Sequence, residues 1–221
     1  KYKAGPLTLH RGSSMSGLLL TLLLAPALLA EEVPVLPGQG TQLSAGAEIA
    51  TATHYQWRGM RVTQGPVLQP SAWLGVENIT LSAWGNVNLD AQDGRGFNEL
   101  DLQVGFEQSW GDLVFEPGLV AYVLPGVCFT AEAYGNFSWM PGWFGLYSDH
   151  AIDFWDARPG WWSESGLGFS MGLPVNLSVD AQLGISLANR PFNAYYLGLD
   201  HAGLQYACGG LTLAWAHDSG L

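Results

Sequence analysis

Arg58 stands nearly alone as a base among carboxylates spaced as if to share one surface. It has the parity of Glu48, Ala50, Ala52 and His54, and Glu99, Asp101, Glu107, Glu116, Glu132, Glu164 and Asp180 each fall on the polar side of an alternating segment. A guanidinium is a planar fork of donors, so one arginine can tie several carboxylates together. Carboxylates left over in a confined space must be hydrated, protonated or bound to a cation. Two chemistries follow: a knot that plugs a narrow interior, or an acidic constriction that prefers cations.

Other reactive constellations are weaker. Tyr147-Ser148-Asp149-His150 with Asp153 offers metal-ligand types, but 149 and 150 face opposite ways along a strand. Ser163, His217 and Asp218 are types a lipid hydrolase needs, yet no spacing ties them together. The chain carries no phosphate-cradling glycine loop and no CxxC. No catalytic residues, metal or cofactor are therefore expected.

The elements that must position the acids are strands. In 174–187, Val175, Leu177, Val179, Ala181, Leu183, Ile185 and Leu187 alternate with Asn176, Ser178, Asp180, Gln182, Gly184 and Ser186. Successive strand residues point to opposite faces, so this ribbon has one apolar and one polar side. Soluble strands run about 5–6 residues, whereas a tilted strand that crosses a bilayer needs about 9–11. Eleven such extended segments can be drawn between 43 and 217, the last two at 194–207 and 211–217.

Connections after the first, third, seventh and ninth segments are longer and polar. Those at Glu77-Asn78, Gly111-Asp112, Gly172-Leu173-Pro174 and Cys208-Gly209-Gly210 are tight. Outer-membrane barrels show this asymmetry, with aromatic girdles at both interfaces. Trp110, Trp139 and Trp143 would then flank the short turns, and Tyr55, Trp57, Trp155, Trp161 and Trp162 the opposite rim. The expected fold is all-β: an antiparallel transmembrane barrel of about twelve strands, because a closed single-chain bacterial barrel needs an even count. Eleven is odd, so either a closing strand lies beyond Leu221 or one segment is miscounted. Cys128 and Cys208 would sit at opposite ends of it, farther apart than the ~7 Å between Cα atoms that a disulfide allows.

Residues 15–30, MSGLLLTLLLAPALLA, form an apolar run too short to span a membrane and ending on a small residue, as a secretory signal does. The expected organisation is an upstream leader and signal over 1–30, a flexible lead over 31–42 and the barrel domain over 43–221. After residue 30, five arginines and no lysine face all 19 acids. That balance repels nucleic acid.

Several short motifs recur in order. They are Tyr55-Gln56-Trp57-Arg58-Gly59, Gln64-Gly65-Pro66 with Gln69, Trp84-Gly85-Asn86-Val87, Glu99-Leu100-Asp101, 118–125, Glu132-Ala133-Tyr134 and Tyr147-Ser148-Asp149. Over roughly 43–217 this succession resembles the Gcw_chp family of conserved hypothetical proteins, predicted to be proteobacterial outer-membrane proteins. The resemblance implies a location and a fold without a reaction, and implies one more strand past this C-terminus. The expected setting is the bacterial outer membrane, with the lipid bilayer as partner and small solutes or cations as cargo. A soluble secreted β-sandwich or lipocalin-like binder of a small apolar ligand is the alternative. A barrel enzyme acting on lipids is a third.

Overall fold

The computed structural model describes residues 42–91 and 94–215. The signal stretch, most of the 31–42 lead, and His217 and Asp218 lie outside the described residues.

The described residues are all-β apart from one short helical excursion. Strand β1 (Leu43–Ala52) leads to a small hairpin, β2 (Gln56–Trp57) and β3 (Met60–Arg61). Then come β4 (Val67–Val76), β5 (Ile79–Asn88), β6 (Gly96–Phe106), β7 (Gln108–Trp110) and β8 (Leu113–Leu124). They are followed by β9 (Cys128–Trp139), β10 (Phe144–Asp153), β11 (Gly160–Leu173) and β12 (Leu177–Ala188). A helical turn α1 (Arg190–Phe192) runs into a wider π-type turn, Asn193–Leu197, before β13 (Gly203–Trp215).

One antiparallel sheet of eleven strands holds all but the β2–β3 hairpin, in the order β1-β4-β5-β6-β8-β9-β10-β11-β12-β13. The short β7 pairs with β8 and continues the line of β6 beyond a break at Glu107. Among the described residues β1 pairs with β4 and β13 with β12, so each leaves its other edge unpaired.

The two faces of the sheet differ in a consistent way. On β12, Leu183, Ile185 and Leu187 are exposed while Ser186 and Ala188 are buried. On β6, Leu102, Val104 and Phe106 are exposed while Glu99 and Asp101 are buried. On β9, Phe129 and Phe137 are exposed while Thr130 and Glu132 are buried. Large apolar side chains lie outside and polar ones inside. This is the reverse of a globular protein in water, where burial of apolar surface drives folding. Apolar clusters exist inside, but small ones: Ala52, Tyr55 and Val67 in one, Ala151, Trp162, Ala188 and Phe192 in the other.

Tight turns close one end. Glu77 (φ 55°), Gly111 (φ 63°), and Val175 and Asn176 (φ 62° and 59°) take the left-handed backbone that short hairpins demand. The long connections 53–66, 89–95, 154–159 and 189–202 gather at the other end.

Several sequence expectations need correction. The tenth and eleventh segments do not exist as drawn. Residues 194–197 belong to the helical excursion, and Cys208-Gly209-Gly210 lies mid-strand in β13 rather than in a turn. With β6 and β7 one interrupted strand, ten strands run side by side. Both cysteines are free, and Cys208 sits beside Tyr147 in mid-wall, not at a barrel end. Glu107 stands exposed at the β6–β7 break instead of on the inner face.

Candidate functional site

The β2–β3 hairpin folds inward from the long-loop end and carries Arg58 at its tip. Arg58 (φ 45°) and Gly59 (φ 80°) form a two-residue turn with both residues left-handed. Glycine is required at 59, because a Cβ there would strike the Tyr206 ring. Arginine at 58 carries a backbone cost of roughly 1–2 kcal/mol. The loop base is tied down: Tyr55 N donates to Thr63 Oγ1 (2.8 Å), Val62 N to Tyr55 O (2.8 Å), and Thr63 Oγ1 to Gly65 O (3.2 Å).

That turn delivers the guanidinium to Glu132 on β9. Arg58 Nη1 donates to Oε1 (2.6 Å) and Nη2 to Oε2 (2.7 Å), while the Tyr122 hydroxyl donates to Oε2 (2.9 Å). Glu132 is fully buried and Arg58 nearly so. The guanidinium carbon lies 4.6 Å from the Trp57 ring centroid, 4.2 Å from that of Trp162 and 5.5 Å from that of Phe192. A weakly hydrated, planar cation between aromatic faces with a bidentate carboxylate is the arrangement in which burial of an ion pair costs least.

Phe192 comes from the excursion after β12. Asn189 begins it, its side-chain oxygen accepting from Phe192 N (3.1 Å) and Trp161 N (2.9 Å), its amide donating to Pro159 O (2.7 Å). This is an N-cap followed by proline at the start of a helix. Asp153 fixes the neighbouring loop. It accepts from Thr130 (2.8 Å), Tyr196 (2.6 Å), Trp155 N (2.9 Å) and Ala157 N (3.2 Å). Burial and the bond to Asp153 push the Tyr196 phenol up, and burial and Asp156 push that of Tyr195 up to about 12.

The remaining inner acids fall into two groups. Glu164 accepts from Tyr147 (2.9 Å) and Tyr206 (2.8 Å). Glu116 accepts from Tyr134 (3.3 Å), and Asp180 from Ser178 (3.5 Å). Glu99 and Asp101 differ: both are buried, and Asp101 Oδ1 has no hydrogen-bond partner. Glu48 is exposed on β1, which pairs with β4 along one edge only among the described residues.

Arg58 thus gathers one carboxylate rather than several. It reaches the interior as the tip of an inserted hairpin, not as part of the wall. Tyr55, Trp57 and Trp162, expected at the rim, are inside it: Tyr55 and Trp162 are buried, and Trp57 packs edge-on to Tyr122 and Tyr196. Trp110, Trp139, Trp143 and Trp155 are exposed near the two ends of the sheet. Trp161 is half-buried, its ring stacked on His150. Sequence reasoning weighed Asp153 only as a metal-ligand type and missed the inward Tyr122, Phe192 and Tyr196. The Asn189-Arg190-Pro191 cap signal could have found the helical excursion that carries the last two.

No group of three metal-ligating side chains is present among the described residues. A Ser148–His150 pair (2.9 Å) faces outward, but its further bond runs to Ser165 (2.6 Å) and not to a carboxylate.

Neither a family model, nor a curated protein, nor a solved structure matches the chain.

Proposed function

We propose that this chain is an outer-membrane β-barrel with an acid-lined lumen, held shut at its long-loop end by the Arg58 hairpin. It is a narrow cation-preferring pore that conducts only when the plug yields. The observation that carries this reading is the inverted sidedness: Leu102, Val104, Leu183 and Ile185 face out while Glu99, Asp101, Glu132 and Glu164 are buried. The long strands run from 10 to 14 residues, which meets the about 9–11 that a tilted membrane strand needs. Free strand edges are intolerable in hydrocarbon, so β1 and β13 are expected to pair in the bilayer. The motif succession that resembles the Gcw_chp family supports the same setting.

The test is lipid contact. Single fluorophores at Leu183 and Ile185 should be quenched by nitroxide-bearing acyl chains in vesicles, and one at Asp180 should not. A chain that stays soluble without detergent, with all three labels open to aqueous quenchers, would sink the reading in favour of a soluble binder.

A further inference from the structure

The inner face holds a second acidic locus that the Arg58 plug does not satisfy. Glu99 and Asp101 are two residues apart on β6 and so share its inner face. They are 6% and 8% exposed. Arg58 is committed to Glu132 through both arms of its fork. The other arginines among the described residues, at 61, 95, 158 and 190, are exposed. Asp101 lies between Trp84 and Tyr122 on its neighbouring strands, and the Tyr122 hydroxyl is spent on Glu132.

A second observation points at the same spot. Tyr55, only 1% exposed, packs on Trp84 with ring centroids 5.5 Å apart, and its hydroxyl is turned toward Glu99 without closing a well-formed hydrogen bond. That hydroxyl is close enough to Glu99 and Asp101 to feel both charges. That phenol is the donor nearest the pair, and Asp101 Oδ1 is left without one. Carboxylates buried in this way must be hydrated, protonated or bound to a cation.

We propose that Glu99, Asp101 and the Tyr55 hydroxyl bind one monovalent inorganic cation, with the Trp84 face as an additional wall. Divalent ions are disfavoured. Calcium takes six to eight oxygens and magnesium a near-ideal octahedron, and no group of three acidic, histidine or cysteine ligands occurs among the described residues. A singly charged ion tolerates fewer ligands and gains from aromatic faces. The site rests on the barrel reading for its place along a lumen, but binding is measured separately from conduction.

The experiment is thermal unfolding of the purified protein in detergent, titrated with potassium, sodium or choline chloride at constant ionic strength. Binding to the folded state raises the midpoint as the logarithm of one plus ligand over Kd. The expected result is a saturable rise with potassium or sodium and none with choline. Asp101→Asn should abolish it, Tyr55→Phe should weaken the apparent affinity about tenfold with the ring retained, and Glu107→Gln should leave it intact. A midpoint indifferent to cation identity overturns the proposal. So does an Asp101→Asn protein that keeps the rise, or one simply stabilised with no cation dependence in the parent, since a proton then neutralises the pair. If Asp101→Asn does not fold, Tyr55→Phe decides alone: unchanged affinity overturns the site. Failure of the lipid-quenching test would remove the barrel and leave this titration readable.

Discussion

The two ends of the interior are filled by opposite means. At the long-loop end the chain inserts extra segments, the Arg58 hairpin and the helical excursion, and packs them against wall residues into a buried ion pair walled by aromatics. Toward the short turns no further segment is inserted among the described residues. Instead, from mid-wall toward the short turns, inward rings lie across glycines on the paired strand: Trp73 over Gly46, Tyr134 over Gly118, Tyr147 over Gly166. One end is plugged by sequence that leaves the wall, the other by wall residues that could not lie flat if the neighbour had a side chain. The first arrangement can be released as a unit. The second is part of the sheet.

That contrast can be broken one end at a time. Arg58→Ala should have the largest effect, because it strands Glu132 as an uncompensated buried charge. A loss of about 3–5 kcal/mol is expected in denaturant unfolding, with a smaller loss for Arg58→Lys. At the other end, a methyl at Gly118 would meet the Tyr134 ring and the Val104 carbonyl. Gly118→Ala should cost about 1–3 kcal/mol in the same assay. A Tyr134→Phe background should not rescue it, since the ring remains.

Removing the Asn189 cap sharpens the distinction between plug and wall. Asn189→Ala should cost ~1 kcal/mol, and hydrogen exchange should rise over 189–202 while β12 stays protected. The smallest effect is alkaline. Tyr195 has its phenol pushed up to about 12 by burial and Asp156. A folded value above the unfolded one favours the neutral phenol. Its contribution is present below pH about 10 and lost as the pH climbs through about 12. Tyrosinate absorbance should show the loop loosening in that window, and Tyr195→Phe should delete the step.

Much of the wall was legible in the sequence because a period of two leaves a clear trace. Leu183 and Ile185 fall on the outer face, and Glu99, Asp101, Glu132 and Glu164 on the inner one, as the alternation implies. The plug was half legible. Arg58 stood out by charge, but parity assigned it to a strand when a left-handed turn actually aims it. Tyr55, Trp57 and Trp162 misled for a related reason: an aromatic near a strand end can serve a girdle or an interior with equal propensity, and only the inserted hairpin decides. The 189–215 region failed because Cys208-Gly209-Gly210 has turn composition inside a strand. There, glycines on β13 sit against Leu183 and Gln182 of β12, and the chain does not reverse.

The central claim is that the Arg58–Glu132 pair closes an otherwise passable acidic lumen. Single-channel recording in planar bilayers tests it most directly. The parent protein should be silent or conduct in rare, small steps. Arg58→Ala, once refolded and inserted, should open larger steps that carry potassium in preference to chloride. Large steady conductance in the parent, or an Arg58→Ala protein that inserts yet stays silent, would contradict it.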